Sequence, residues 1–241
     1  MSTIVSGFNA AAEEYLHYAH IQKYCANSLA RWLPQSKDCR ILELGAGPGV
    51  FTNYLEHWGK NVCATDASEA MCKLGQKNIP AVIWKQMDAR LPEKGPWDLI
   101  CSSSMLQWLD EPGQTLHNWK SVLAPRGRVL CSLFVEGTLR EWASVSGISA
   151  PLVWHSPEFW IESLLNSGLG IVRCESETKV LYYNSALDAL RTIHKLGASS
   201  SPKLGAGHLR RLMKTYEKHY NSNHGVAATW VIFRFEAVVS S

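Results

Sequence analysis

Residues 39–49 (Cys-Arg-Ile-Leu-Glu-Leu-Gly-Ala-Gly-Pro-Gly) constrain this chain more than any other stretch. A short apolar run of Ile41, Leu42 and Leu44 meets three glycines spaced two apart, Gly45, Gly47 and Gly49. Val50 and Phe51 then open a helical pattern. Strand, glycine turn and helix bring backbone close to a small ligand at the carboxyl edge of a sheet. Glycine serves there because a Cβ would oppose positive φ and hold the ligand away.

The rest of the first half repeats the unit. Strands are expected at 40–44, 61–65, 81–87, 97–102 and 128–134, with helices at 50–58, 68–77 and 113–123 between them. Residues 124–127 (Ala-Pro-Arg-Gly) read as the turn before the fifth strand. Repeated strand–helix units with apolar strands imply a parallel sheet covered on both faces. Ahead of this, residues 8–33 read as one helix stopped by Pro34, with Phe8, Tyr15, Ala19, Gln22 and Leu29 at helical spacing. Two readings are open for it: an amphipathic helix packed on the sheet, or a lid with Tyr15 or Gln22 facing a ligand. After residue 135 come a short helix at 138–146 and an apolar loop at 151–155. A helix opened by Ser156 and Pro157 runs to Gly168, followed by a strand at 169–182 and a helix at 185–196. A loop at 198–207, a helix at 208–220 and a last strand at 227–238 close the chain. No repeat or linker divides the 241 residues. One α/β domain is expected, with 1–38 as a helical lid, 39–134 as the ligand-binding half and 135–241 as an acceptor-side half.

A dinucleotide would want G-x-G-x-x-G, but the position three after Gly47 is Val50, and Pro48 removes an N–H that a phosphate would use. S-adenosylmethionine asks instead for an acid to balance its cationic amino group. Glu43-x-Gly45-x-Gly47-x-Gly49 resembles the first motif of class I S-adenosylmethionine-dependent methyltransferases. Asp66 follows 23 residues after Glu43, Asp88 ends the third strand, and Ser102 and Ser103 end the fourth. The resemblance implies a Rossmann-like, seven-stranded, mostly parallel sheet with its last strand antiparallel, helices on both faces and helical lid insertions. It also implies that Asp66 accepts from ribose hydroxyls, that Asp88 stands by the adenine amino group, and that Ser103 lies beside the methionine moiety. Gln22, Ala46, Ala67, Ala89 and Gln107 complete the implied donor site.

A narrower resemblance covers nearly the whole chain. Phe8…Tyr15…Ala19…Gln22, the segment 102–108 ending in Gln107-Trp108, Gly137-Thr138-Leu139-Arg140-Glu141, and residues 186–198 around Arg191 resemble the malonyl-[acyl-carrier protein] O-methyltransferases of biotin synthesis. The chain departs from that pattern in its short serine- and glycine-rich 199–207 and in Thr229-Trp230, where the family has Thr-Tyr. The implied reaction methylates the free carboxylate of a malonyl thioester. A carboxyl pKa near ~4 leaves that acceptor ionised at neutral pH, so no general base is required. Alignment and exclusion of water are what the protein must supply. Tyr15 is the expected orienting residue. Arg191 either contacts the distal carbonyl of the malonyl group or serves as a helix-surface charge. Tyr182, Tyr183 and His155 are further wall candidates.

The totals exclude several classes. A net charge of +3 is too small to imply nucleic acid. Residues 1–20 lack a signal-peptide pattern, and no apolar run approaches ~20 residues, so neither export nor a membrane span is expected. The seven cysteines have no C-x-x-C spacing; reduced thiols and a cytoplasmic setting are expected. His17 and His20 could share a face without a third ligand, so no metal is expected. Arg210, Lys214 and Lys218, flanked by Arg211, form a basic stripe on the 208–220 helix. It reads either as a docking face for an acidic acyl-carrier protein or as a solvated face. Two other functions stay open: methylation of another small carboxylate or quinone, and a non-catalytic relative that assists assembly.

Overall fold

The computed structural model describes residues 2–34, 38–59, 61–146, 153–196 and 205–239. In chain order the elements are α1 (Ser2–Tyr18), α2 (His20–Ala30), β1 (Arg40–Leu44), α3 (Thr52–Trp58), β2 (Asn61–Asp66), α4 (Glu69–Asn78), β3 (Ile83–Gln86), β4 (Trp97–Ser103) and α5 (Pro112–Ser121). There follow β5 (Leu123–Phe134), α6 (Arg140–Ser146), α7 (Pro157–Asn166), β6 (Leu169–Tyr183), α8 (Ala186–Lys195), α9 (Ala206–Tyr220), β7 (Asn221–Ser222) and β8 (Gly225–Val239).

One sheet runs β3-β2-β1-β4-β5-β8-β6. The pairs among β3, β2, β1, β4 and β5 are parallel, and β8 alone runs against its neighbours β5 and β6. The expected seven strands are present, and the two-residue β7 adds an eighth by pairing back onto β8. Strand order reverses at β1, which places the crevice of such a sheet beyond the carboxyl ends of β1 and β4.

The alternation of β1 sorts the two faces. Leu42 and Leu44 point to a core completed by Leu116 and Trp119 of α5 and by Trp160 and Leu164 of α7. Ile41 points the other way, into a core with Ala26 and Leu29 of α2, Leu55 of α3, and Val62 and Ala64. Cys63, Cys101 and Cys131 are buried strand residues, as expected.

Two local expectations are corrected. Residues 8–33 are not one helix: the chain breaks at Ala19, whose ψ of 38° leaves the helical region. The break frees α1 from the sheet on which α2 packs. The turn at 124–127 lies inside β5 as a bulge, because Trp97 pairs with Leu123 and Leu99 with Arg128. Arg126 there takes φ +64°. The helix start at Ser156 is as read: its hydroxyl accepts from Phe159 N. Residues 151–152 of the apolar loop and 198–204 of the later one lie outside the described residues, as do Gly197 and Ala198 of the Arg191 segment.

The Gly137–Glu141 segment proves to be a clamp. Gly137 takes φ +91°. Thr138 Oγ1 donates to Val231 O at 3.2 Å and accepts from Val231 N at 3.0 Å. Glu141, buried, accepts from Thr229 N at 3.0 Å and from the Thr229 hydroxyl. Glu141→Ala strands a buried amide and hydroxyl, so about 3 kcal/mol of stability is expected to go. Calorimetry should read this as a fall of about 6–12 °C in Tm.

Candidate active site

The turn after β1 is shaped by conformations that side chains rarely adopt. Gly45, Gly47 and Gly49 have φ of +74°, +56° and +100°. A Cβ on Gly45 would lie 2.2 Å from Met105 Cγ, and one on Gly49 would lie 2.8 Å from Ile79 Cδ1, whereas one on Gly47 meets nothing within 4 Å. Asp66, ending β2, fastens the turn: its carboxylate accepts from Gly47 N at 2.9 Å and Ser68 N at 2.8 Å. Burial raises its pKa, and those two amides oppose the rise. Glu43 is buried on β1 and accepts from Thr52 Oγ1 at 2.6 Å. Burial pushes its carboxyl up to about 8, Thr52 pulls it down, and the Asp66 charge adds to the rise.

These groups floor a cavity at the carboxyl edge of the sheet. Glu43, Gly45, Ala46 and Gly47 line it beside Asp66, Ala67, Met71, Met87, Ala89 and Ser103. Val5, Phe8, Tyr15 and Gln22 supply the opposite wall from α1 and α2. Phe8 packs edge-on against Trp108 with ring centroids 5.4 Å apart. Ser68 Oγ donates to Asn9 Oδ1 at 2.5 Å, and Lys195 pairs with Glu14. The first helix is thus a roof tied at two points. A second, smaller cavity adjoins the first through Phe8, Tyr15, Gln22, Ser104 and Trp108, and extends to Gln107, Phe134, Trp154, Leu196 and Trp230. Burial, then the Asp66 and Cys25 charges, raise the Tyr15 hydroxyl above its ordinary range, so it keeps its proton.

Ten of the residues singled out in the sequence meet in the first cavity: Tyr15, Gln22, Glu43, Gly45, Ala46, Gly47, Asp66, Ala67, Ala89 and Ser103. Gly49 lies behind the turn, against Ile79 and Trp84. Gln107 lines the second cavity. Asp88 turns onto Arg90, whose guanidinium Nη2 donates to it at 2.6 Å and holds its carboxyl below the usual range. Arg191 stands on the exposed side of α8 with Nη1 3.7 Å from Asp188, outside both cavities. Tyr182 is exposed, and His155 stacks on Phe159 at 3.8 Å. Ser104, Trp154 and Trp230 were not singled out as site residues. Of these, Ser104 carried a signal, lying inside the segment that ends in Gln107-Trp108, and so did Trp230, in the pair that departs from the family's Thr-Tyr. Among the described residues no cluster of three His, Cys, Asp or Glu could hold a metal, and no helix is long and apolar enough to cross a membrane.

A methyltransferase-domain model matches residues 15–160. The chain is 31% identical over 245 residues to malonyl-[acyl-carrier protein] O-methyltransferase of Hahella chejuensis, covering 95% of this chain and 87% of that one. The chain belongs to that methyltransferase family. A Paenibacillus protein of the same name is 27% identical over 258 residues, 92% of each chain. The YcgJ protein of Bacillus subtilis shares the fold with a TM-score of 0.70 at 14% identity, over 90% of this chain and 99% of that one. The methyltransferase is an S-adenosylmethionine-dependent O-methyltransferase. The first cavity fits that donor. It offers glycine backbone without side-chain bulk, the buried carboxylate of Glu43 and the half-buried one of Asp66, an unpartnered Gln22 Oε1, and no lysine or arginine among its described walls to call for a phosphate.

Proposed function

We propose that this methyltransferase esterifies the free carboxylate of a malonyl thioester, malonyl-acyl-carrier protein above all, giving the methyl ester that starts biotin synthesis in the cytoplasm. The observation that carries this reading is the chemistry of the second cavity. Its described walls hold no His, Asp, Glu or Lys, and Tyr15 keeps its proton. An alcohol, phenol or ammonium acceptor would have to lose a proton there with no base to take it. A carboxylate arrives ionised. The names of the Hahella and Paenibacillus relatives support malonyl-acyl-carrier protein as its bearer.

When bound, S-adenosylmethionine supplies an electrophilic methyl carbon, and the carboxylate lone pair forms the new C–O bond as the S–CH₃ electrons return to sulfur as a neutral thioether. The chain's part is to bind and align. Glu43, ionised, would meet the ammonium group and the Asp66 oxygens would face the ribose hydroxyls of the bound donor. Gly45, Ala46 and Gly47 let it approach the backbone, and Ala67, Ala89 and Ser103 wall it in. Asp88, steadied by Arg90, follows Met87 and precedes Ala89 of the cavity wall and would stand by the adenine amino group. Tyr15 sits where the cavities join and can donate to either partner. Arg191 is exposed and is absent from the described walls of both cavities, which favours the surface-charge alternative for it.

On α9, Arg210, Arg211, Lys214 and Lys218 are exposed while Leu212 and Tyr216 are buried. None of the four forms an ion pair among the described residues, which suits docking of an acidic carrier. The test is transfer of tritiated methyl from the donor to malonyl-acyl-carrier protein, malonyl-coenzyme A and a panel of small acids and quinols. A base-labile label on the malonyl thioesters is expected. Label only on other acceptors, or none, overturns the reading. The double reversal Arg210→Glu with Lys214→Glu should raise KM for the carrier-linked substrate about tenfold at low salt and spare malonyl-coenzyme A.

A further inference from the structure

Among the described residues seven buried side-chain polar atoms have no hydrogen-bond partner, and five of them belong to residues that line the second cavity: Gln22 Oε1, Ser104 Oγ, Gln107 Oε1, Trp154 Nε1 and Trp230 Nε1. A buried polar group left unpaired forfeits its hydration with nothing in return, so native proteins leave few of them. Such a cluster around one small space points to a ligand that completes the bonds.

The groups differ in what they offer. Gln107 Nε2 already donates to Ser104 O at 2.9 Å, which fixes its oxygen as an acceptor. Trp230 N–H lies within reach of the Tyr183 hydroxyl. Ser104 Oγ and Trp154 Nε1 are the donors left, with Ser104 also near the Cys25 thiol, a weak partner. Ser104 takes φ +61° although it carries a side chain, and is pinned there by its own N–H, which donates to Ser132 O at 2.7 Å. Strain of this kind persists only where the surroundings impose it, and it gathers at functional sites. It stands at the seam, lining both cavities.

We propose that the second cavity is the seat of the acceptor, and that Ser104 Oγ–H and Trp154 Nε1–H hold an oxygen of its carboxylate while Phe134 and Trp108 take the uncharged part. This deepens the function proposed above and rests on it. Neutral donors have a chemical advantage. A paired guanidinium would draw charge from the carboxylate and blunt it as a nucleophile, and no arginine or lysine stands among the described walls. The seat makes Ser104 and Trp154 specificity-determining residues for a carboxylate acceptor.

The test uses the full chain saturated with sinefungin, a cationic analogue of the donor that transfers no methyl, and titrates malonyl-coenzyme A calorimetrically. Trp154→Phe keeps an aromatic ring while removing the N–H with the pyrrole part of the indole; Ser104→Ala removes the hydroxyl. Each is expected to weaken malonyl-coenzyme A about tenfold or more, the loss of one hydrogen bond to a charged group. In turnover KM should rise far more than kcat falls. Trp154 lines the second cavity alone, so Trp154→Phe should bind sinefungin within about twofold of wild type, which also reports that it has folded. Both variants binding malonyl-coenzyme A as wild type does would overturn the seat, while the binding itself would still support a malonyl acceptor held elsewhere. Should wild type bind neither malonyl-coenzyme A nor malonyl-acyl-carrier protein, that reading falls, and a panel of short monocarboxylates decides the seat. Binding lost in the two variants upholds it; binding indifferent to them, or no carboxylate bound, overturns it.

Discussion

Alanine at position 45 is expected to lower the thermal midpoint by about 6–12 °C and to abolish measurable methyl transfer, whereas alanine at position 47 should fold and lose the donor. At Gly45 two costs add. A side chain at φ +74° is strained, and its Cβ would meet Met105 Cγ at 2.2 Å and Met105 Cβ at 2.5 Å. The Met105 Cβ cannot swing away as the end of a flexible side chain can, so the backbone after β4 must shift. Strain and overpacking together come to about 3 kcal/mol, and each kcal/mol moves Tm by about 2–4 °C at this size. At Gly47 the strain stands alone, about 1 kcal/mol, because the new methyl meets no atom. Its N–H stays in place for Asp66. What changes is the cavity wall, where the methyl takes up room left for a ligand, and Kd for S-adenosylmethionine should rise at least about tenfold, or 1.4 kcal/mol. Calorimetric unfolding and donor titration on both variants separate the cases. Equal Tm losses, or Gly47→Ala binding as wild type does, would contradict the geometry.

The donor side was legible in the sequence because it is local. A strand, a turn and the acids at strand tips are set by spacing along the chain, and Glu43, Gly45, Gly47 and Asp66 gather where strand order reverses. The break at Ala19 was not legible, since nothing in the helical spacing of Tyr15, Ala19 and Gln22 interrupts it. That break comes from α2 packing on the sheet while α1 crosses the cavity. Glu141 was noted as part of a family segment, but its partner Thr229 lies 88 residues on, a pairing only the fold reveals. The acceptor side is least local of all. Ser104, Trp154 and Trp230 come from three separate parts of the chain, and a tryptophan in a sequence reads as core or as pocket wall alike until the fold places its ring at a cavity. Arg191 shows the converse. Its segment resembles the family, yet buried Ala189 and Ile193 anchor α8 while Arg191 faces solvent.

Glu43 sets the second large effect, in which stability and function move in opposite directions. Its carboxyl has a folded-state pKa of about 8 against an ordinary 4.5, because burial on β1 disfavours the charge. The folded state therefore holds a proton that the unfolded chain gives up. Stability from this group is fully present below about pH 4.5 and declines by about 1.4 kcal/mol per pH unit as pH rises toward 8. Glu43→Gln stays neutral and can still accept from Thr52, so that slope should vanish, and above pH 8 the variant should melt higher than wild type. Donor binding should show the reverse. Pairing with a cationic amino group needs the ionised form, so wild-type binding releases a proton below pH 8 and affinity climbs about tenfold per pH unit from 6 to 8. Glu43→Gln should lose the climb and bind the donor weakly throughout. Titration in buffers of different ionisation enthalpy counts the proton directly. A wild-type affinity that is flat from pH 6 to 8, with no proton released, would remove Glu43 as the group that meets the ammonium. A retained stability slope in the glutamine variant would show that another buried group, Asp66 first among them, carries the pH dependence.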